Sequence, residues 1–230
     1  MEQENRYRHE HKYDISYVDY LIIRARLKTV MSLDPHTEKD GLYKIRSIYF
    51  DNIYDKALCE KTDGISKREK FRIRYYNDDL SFITLEKKMK INDLCLKKDA
   101  IITENECRKI LNGDIGWMRG HPDDLVKELY AKMNYQGLYP KVLVSYTREP
   151  YIFPAGNVRV TFDSCIRTSL FDREFLSNGI KDISATDTPQ DMLMEVKYDA
   201  FLPGIIQDMI QIKSIRQQAF SKYGTCRRFG

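Results

Sequence analysis

The 230-residue chain contains no uninterrupted apolar run of the length needed to cross a bilayer, about 18 residues or more, and the expectation is therefore a protein without a membrane helix. Met1 to Glu10 is polar and charged and lacks the apolar stretch of a secretory signal. The five cysteines, Cys59, Cys95, Cys107, Cys165 and Cys226, form no CxxC pair and no Cys/His spacing of a zinc site. Their spread reads as free thiols in a reducing cytoplasm. No Gly-x-x-x-x-Gly-Lys-[Ser/Thr] loop and no Gly-x-Gly-x-x-Gly turn occurs, so neither a P-loop nor a dinucleotide fold is indicated. Low-complexity tracts, internal repeats and linkers are absent. The lone tryptophan, Trp117, lies between Gly116 and Gly120 and reads as a local packing anchor.

What is present is a balanced composition. Apolar residues make up 42% and charged residues 31%, enough to bury a core, and the net charge is only +4. Residues 1–230 read as one domain. Binding through bulk charge is excluded by that balance, so the placement of the charge carries the information.

Alternation marks strands at Arg6–Ile15, Lys44–Asp51, Glu69–Tyr76, Ser81–Lys90, Leu94–Lys98, Lys141–Tyr151, Asn157–Asp163, Cys165–Ser169 and Met192–Tyr198. Asn77-Asp78-Asp79 and Asn92-Asp93 are turns between them. Ser16 with Asp19, and Thr103 with Glu106, are spaced as capping boxes, predicting helices over Tyr17–Met31 and from Thr103 to Asn112. Further helices are expected over Tyr54–Lys61, from Pro122 to near Asn134, and over Pro203–Gln218. Phe171–Gln190 reads as a loop. Many meandering strands with few helices predict an α+β fold: an antiparallel β-barrel of about eight strands with helices packed outside.

Residues two apart on a strand share a face. Arg8, Glu10 and Lys12 do so, as do Lys70, Arg72 and Arg74, then Glu86, Lys88 and Lys90, then Tyr146 and Arg148, then Glu195 and Lys197. The intervening residues are largely apolar: Phe71, Ile73 and Tyr75, or Met194, Val196 and Tyr198. A charged face on one strand is ordinarily the solvent face. Repeated Arg-x-Arg and Glu-x-Lys on five strands is different, because like charges side by side repel and need an offsetting partner. If helices cover the apolar faces outside, the charged faces line the lumen. Such a lumen is costly to dehydrate unless it is wet or filled by a polyanion, and Arg and Lys suit phosphate. A nucleic-acid surface competes as an explanation, but the aromatics form no recognisable stacking platform. His9 and His11 fall on the side opposite Glu10 and are expected outside or at an edge. Tyr49 and Asp51 share a face that could extend the lumen, and packing is the preferred reading for Tyr49.

Eight short motifs occur in order: Arg8-His9-Glu10-His11-Lys12-Tyr13, Ser47-Ile48-Tyr49-Phe50-Asp51, Phe71-Arg72-Ile73-Arg74-Tyr75, Leu85-Glu86-Lys87-Lys88, Ser145-Tyr146-Thr147-Arg148, Val158-Arg159-Val160, Met194-Glu195-Val196-Lys197 and Phe220-Ser221-Lys222-Tyr223. Together they resemble the catalytic domain of the vacuolar transporter chaperone (VTC) polyphosphate polymerases, within the triphosphate tunnel metalloenzymes. The resemblance runs from about residue 6 to residue 224. It implies a basic tunnel in which the γ-phosphate of ATP passes to a growing polyphosphate chain. By resemblance, Lys12, Arg72, Arg74, Lys88, Arg148 and Lys222 hold the triphosphate or the chain. Arg8, Lys90, Arg159 and Lys197 add lumen contacts, Lys97 or Lys98 supplies another, and Ser221 either touches phosphate or ends a helix. Glu195 is implied as the ligand of Mn²⁺ or Mg²⁺, with Glu10 and Glu86 as helpers. ATP and polyphosphate are the implied partners, nucleic acid is not, and a separate membrane partner would receive the product.

One departure matters. The wider tunnel superfamily carries Glu-x-Glu-x-Lys on its first strand, whereas this chain has Arg8-x-Glu10-x-Lys12, which favours the polymerase branch over a two-metal hydrolase. A tunnel triphosphatase and a non-catalytic polyanion-binding module remain the alternative readings.

Overall fold

The computed structural model describes residues 7–92, 94–170, 175–177, 181–186, 192–212 and 216–229. Eight strands form one antiparallel path: β1 (His9–Ile15), β10 (Met192–Tyr198), β8 (Val158–Leu170), β7 (Tyr139–Phe153), β3 (Tyr43–Asp51), β4 (Lys67–Tyr76), β5 (Asp79–Ile91) and β6 (Leu94–Ile102). Two short strands, β2 (Ser32–Leu33) and β9 (Ile183–Ser184), are added to β7 and β8. The outermost strands meet at one place. Arg8 and Cys95 exchange reciprocal backbone hydrogen bonds of 3.0 Å, while the rest of that seam is not laddered. The sheet thus curls into a barrel-like tunnel.

The helices begin where the capping chemistry places them. Before α1 (Tyr17–Leu27) the Ser16 hydroxyl accepts from the Asp19 N–H at 3.1 Å and the Asp19 carboxylate accepts from the Ser16 N–H at 3.3 Å. Thr103 and Glu106 make the same pair of bonds at the start of α3 (Glu104–Leu111). Asp123 caps α4 (Asp124–Gln136), which stops at Gly137 with φ 65°, a conformation glycine adopts without a Cβ penalty. The short helix α2 (Lys56–Thr62) starts where Asp51 accepts from the Ala57 N–H at 2.9 Å.

Helices cover the apolar strand faces. Cys107 and Ile110 of α3, with Val126 and Leu129 of α4, bury Phe71, Ile73 and Leu85. Ile23 and Leu27 of α1, with Ile206 of α5 (Gly204–Ile210), bury Val160, Phe162, Met194 and Val196. A fully buried aliphatic side chain of this kind contributes about 1.5–3 kcal/mol. A third cluster lies on the concave side, where Tyr223 and Cys226 of α6 (Lys222–Cys226) pack on Tyr49, Val142, Val144 and Ile166.

Several boundaries differ from the sequence reading. The strands expected at 157–163 and 165–169 are one strand, β8, bent at a bulge where Cys165 takes φ 51°. The helix expected to reach Met31 ends at Leu27, where the Thr29 hydroxyl donates to the Arg26 carbonyl at 2.7 Å and closes the last turn. The helix expected over Pro203–Gln218 stops at Ile210, and the Gln218 N–H bonds the Lys12 carbonyl at 2.8 Å, so pairing beside β1 wins over helix continuation. Residues 213–215 of that span lie outside the described residues, as do Arg6, Asp93 and most of the loop expected over Phe171–Gln190. Helix α6 was not anticipated. Among the described residues no helix is long and apolar enough to cross a membrane.

Candidate functional site

Because the apolar faces point outward under the helices, the alternate residues face the lumen. On β4 this turns Phe71, Ile73 and Tyr75 into the core and Lys70, Arg72 and Arg74 inward. On β5 it turns Glu86 and Lys88 inward, whereas Lys87 points out to Glu69 and Glu128. β1 contributes Glu10 and Lys12, β10 Glu195 and Lys197, β8 Arg159, Thr161 and Asp163, and β7 Tyr146 and Arg148.

Four inward carboxylates, Glu86, Asp163, Glu195 and Glu10, are each shared by more than one cation. Glu86 accepts from Arg72 Nε at 2.6 Å and also meets Lys97 at 3.0 Å and Arg74 at 3.8 Å. Asp163 takes a two-pronged bond from Arg148 at 2.6 and 2.7 Å and an ammonium bond from Lys222 at 2.5 Å. Glu195 lies 3.4 Å from both Arg148 and Lys197 and 3.7 Å from Lys12. Glu10 pairs with Lys88 and lies 3.4 Å from Lys12. Burial alone would raise the Glu86 and Asp163 pKa values, but the adjacent cations outweigh it and hold both carboxyls well below the usual range. The lysines pay in the other direction. Burial, reinforced by Lys88, Lys222 and Lys197 against the opposing Glu10, brings Lys12 down to about 7.

Tyrosine hydroxyls fill the spaces between the cations. Tyr146 accepts from Arg74 at 3.1 Å, and the Arg148 guanidinium and Lys222 ammonium lie 5.3 and 4.7 Å from its ring centre. Burial raises its pKa, but Arg148, Arg74 and Lys222 prevail and lower it to about 8. Tyr49 accepts from Arg72 at 2.9 Å, so it reaches the lumen as well as packing on Tyr223.

The structure brings Lys12, Arg72, Arg74, Lys88, Arg148 and Lys222 into this one lumen, together with Lys97, Arg159 and Lys197. Arg159 is tied to Asp34 at 2.7 Å and to the Tyr43 hydroxyl at 2.6 Å. Arg8 stands at the seam, 2.8 Å from Asp199. Lys90 follows Lys88 on the same face, opposite Arg68. Lys98 is not among the lumen residues, because its register partner is the outward Lys87; of the two lysines named by resemblance, Lys97 faces inward. Ser221 caps α6, accepting from the Gly224 N–H at 3.2 Å, and also lies 3.4 Å from Lys70 Nζ. His9 and His11 stack on Tyr198 outside the lumen. Sequence reasoning passed over Asp163 and Thr161, and it placed Lys70 and Tyr146 on lumen-lining faces without naming them as phosphate contacts. The Arg159-x-Thr161-x-Asp163 alternation was the available signal for the first two.

Divalent Mg²⁺ or Mn²⁺ prefers oxygen donors and is often held by one or two carboxylates with phosphate oxygens completing the shell. Glu195 and Glu10 suit that role, since both border Lys12. Thr161, opposite Glu195 in the β8–β10 ladder, has a buried hydroxyl oxygen with no hydrogen-bond partner among the described residues, and the buried Glu10 Oε1 and Glu86 Oε1 meet only the ion-pair contacts of Lys12 and Lys97. Among the described residues there is no cluster of three or more His, Cys, Asp or Glu able to hold a metal alone. Glu86 shares none of its cations with Glu10 or Glu195 and stands apart from them.

The profile of the VTC domain matches residues 7–229. Among solved structures, the fold is similar to a Hippeastrum protein described as a candidate adenylyl cyclase with a dominant triphosphatase activity, with TM-score 0.54 and 11% identity over 97% of this chain and 95% of that one. It is also similar to a candidate adenylate cyclase from Bacillus halodurans, with TM-score 0.50 and 14% identity over 84% of this chain and 81% of that one. At these identities the likeness is one of fold. No curated protein matches the chain by sequence.

Proposed function

The chain belongs to the VTC-domain family, and on that premise we propose that it is a metal-dependent polyphosphate polymerase working in the cytoplasm on ATP. The observation that carries this reading is the oversubscription of the lumen carboxylates: Glu86 and Glu195 are each shared by three cations. A lumen so charged is offset by a polyanion running through it.

Phosphoryl transfer asks for positioning and charge neutralisation more than for covalent catalysis. Arg72, Arg74 and Arg148 present planar forks to phosphate oxygens, and Lys12, Lys88 and Lys222 act as point charges. Glu86 and Asp163 fix the arginines in place, which lowers the entropy lost on binding. The terminal phosphate oxygen of the growing chain attacks the γ-phosphorus of ATP. The bond to the β–γ bridging oxygen breaks and ADP leaves. That nucleophile is already anionic, so no general base is required. A divalent cation held by Glu195 beside Glu10 supplies further charge neutralisation when bound.

The test is incubation with ATP and Mn²⁺ or Mg²⁺, followed by a polyphosphate gel with parallel assays of ADP and free phosphate. A polyphosphate ladder with ADP supports the proposal. Free phosphate without a ladder moves the assignment to a triphosphatase, and neither product moves it to a binding module.

A further inference from the structure

Among the described residues, one half-buried lumen lysine, Lys70, has no carboxylate within ion-pair distance. Arg72, Arg74 and Lys88 each have a carboxylate within 4.0 Å. Lys70, which shares their side of β4 and stands opposite Lys88 in the ladder, has none among the described residues. Its close contacts are neutral: the Ser221 hydroxyl at 3.4 Å and the Tyr223 ring, whose centre lies 4.9 Å away. The carboxylate nearest to serving it, Asp51, is occupied by the Tyr223 hydroxyl at 2.5 Å and by the N–H groups of Ala57 and Asn52, both at 2.9 Å. A half-buried ammonium between a second lysine, a hydroxyl and an aromatic face is an unfavourable arrangement for the empty protein. It becomes favourable when an anion enters.

The position of Lys70 indicates which anion. Alternate residues on a strand are about 6.6 Å apart, so Lys70, Arg72 and Arg74 make a row roughly 13 Å long. Lys70 lies on the side of that row away from Glu86, which serves both arginines, and Arg68, the next residue on the same face, is turned to the Ile65 carbonyl at 2.6 Å. We propose that Lys70, with the Ser221 hydroxyl and Lys88, forms a further phosphate position beyond the one served by Arg72 and Arg74, and that this position makes the lumen select longer phosphate chains over triphosphate. The proposal rests on the reading of the lumen as a phosphate tunnel. Lys70 donates to a bridging or terminal phosphate oxygen. Ser221, which spends its oxygen on capping α6, keeps its O–H free to donate to the same group.

The experiment is calorimetric titration of inorganic triphosphate and of long-chain polyphosphate into the full chain, as wild type, Lys70→Met, Lys70→Arg and the surface control Lys28→Met. Met retains the apolar stem and removes the charge, and circular dichroism melts establish that each variant is folded. The expected result is a loss of at least about tenfold in polyphosphate affinity for Lys70→Met, equivalent to about 1.4 kcal/mol. Triphosphate affinity stays within about twofold, Lys70→Arg binds both anions like wild type, and Lys28→Met changes neither. Unchanged polyphosphate affinity in Lys70→Met overturns the assignment of Lys70, as does an equal loss for triphosphate, or a loss in Lys28→Met as large as in Lys70→Met. Wild-type protein that binds neither anion overturns the phosphate-tunnel reading itself, and this proposal with it.

Discussion

Lys88 on β5 and Glu10 on β1 form an ion pair across the seam on the lumen side, although their strands lie near opposite ends of the sheet path. The hydrogen-bonded ladder does not connect them. Side chains therefore complete a circle that the backbone closes only at Arg8 and Cys95. On the proposed function, a phosphate chain entering there would compete with Glu10 for Lys88.

Arg72→Ala and Arg74→Ala are each expected to weaken triphosphate binding by about 1.5–3 kcal/mol, the range for hydrogen bonds to charged groups. Because both arginines share Glu86, the double variant should lose less than the sum of the two. Isothermal titration of the three variants measures both effects. Unchanged affinity in both single variants would place the phosphate elsewhere.

Glu195→Gln should abolish turnover while leaving polyphosphate binding within a few-fold, since removing the carboxylate also frees Arg148, Lys197 and Lys12 for the anion. Manganese affinity, followed by electron paramagnetic resonance, should fall in parallel with turnover. Retained manganese binding with full turnover would remove Glu195 from the metal site.

Asp163→Asn leaves Arg148 and Lys222 without their shared counter-charge in a buried setting. Removing one partner of such an arrangement costs about 3–5 kcal/mol. Urea unfolding should show that loss, and saturating polyphosphate should recover part of it by standing in for the carboxylate. A stability unchanged in urea would show that solvent already screens the pair.

Polyphosphate affinity should fall as pH rises from 7 to 9. Lys70 is brought down to about 8 by burial and by Arg68, Lys88 and Lys61, against the opposing Asp51. Tyr146 is brought to about 8 by Arg148, Arg74 and Lys222, against burial and Asp163. Below pH 8 the free lumen holds a charged Lys70 and a neutral Tyr146, the forms that suit an anion. Above it both have lost a proton that binding must restore. Binding at pH 8 should therefore take up about one proton on Lys70 and Tyr146 together and most of another on Lys12, which lies at about 7, read from titration enthalpies in buffers of different ionisation heat. Affinity that is flat across this range, with no proton uptake, would contradict the assignment of either group to the anion.

Much of the architecture was legible because alternation has a physical cause. That Arg72 and Arg74 lie opposite Phe71 and Ile73 follows from period two, their inward turn from the same pattern on five strands, and both capping boxes form where their spacing placed them. Other features depend on contacts between distant segments. Cys165 at φ 51° joins two expected strands into one because β7 and β8 stay paired through the bulge. Helix α6 is too short to announce itself, and its place is set by Tyr223 on Asp51 and Lys222 on Asp163. Local spacing cannot show that Arg148 and Lys222 meet over one buried carboxylate, nor that Lys98 turns away while Lys97 turns in until the β5–β6 register is known.

The ladder partner of β1 is β10, the last strand of the barrel. As the chain is synthesised, β1 emerges ahead of the other strands of the sheet path and waits with an open edge until β10 has been made. Contacts so far apart in sequence slow folding, and an exposed edge strand invites pairing with other molecules. The charges of Glu10 and Lys12 oppose such pairing, as charged side chains on natural edge strands do. The same alternation that later equips the lumen thus guards the nascent chain against aggregation.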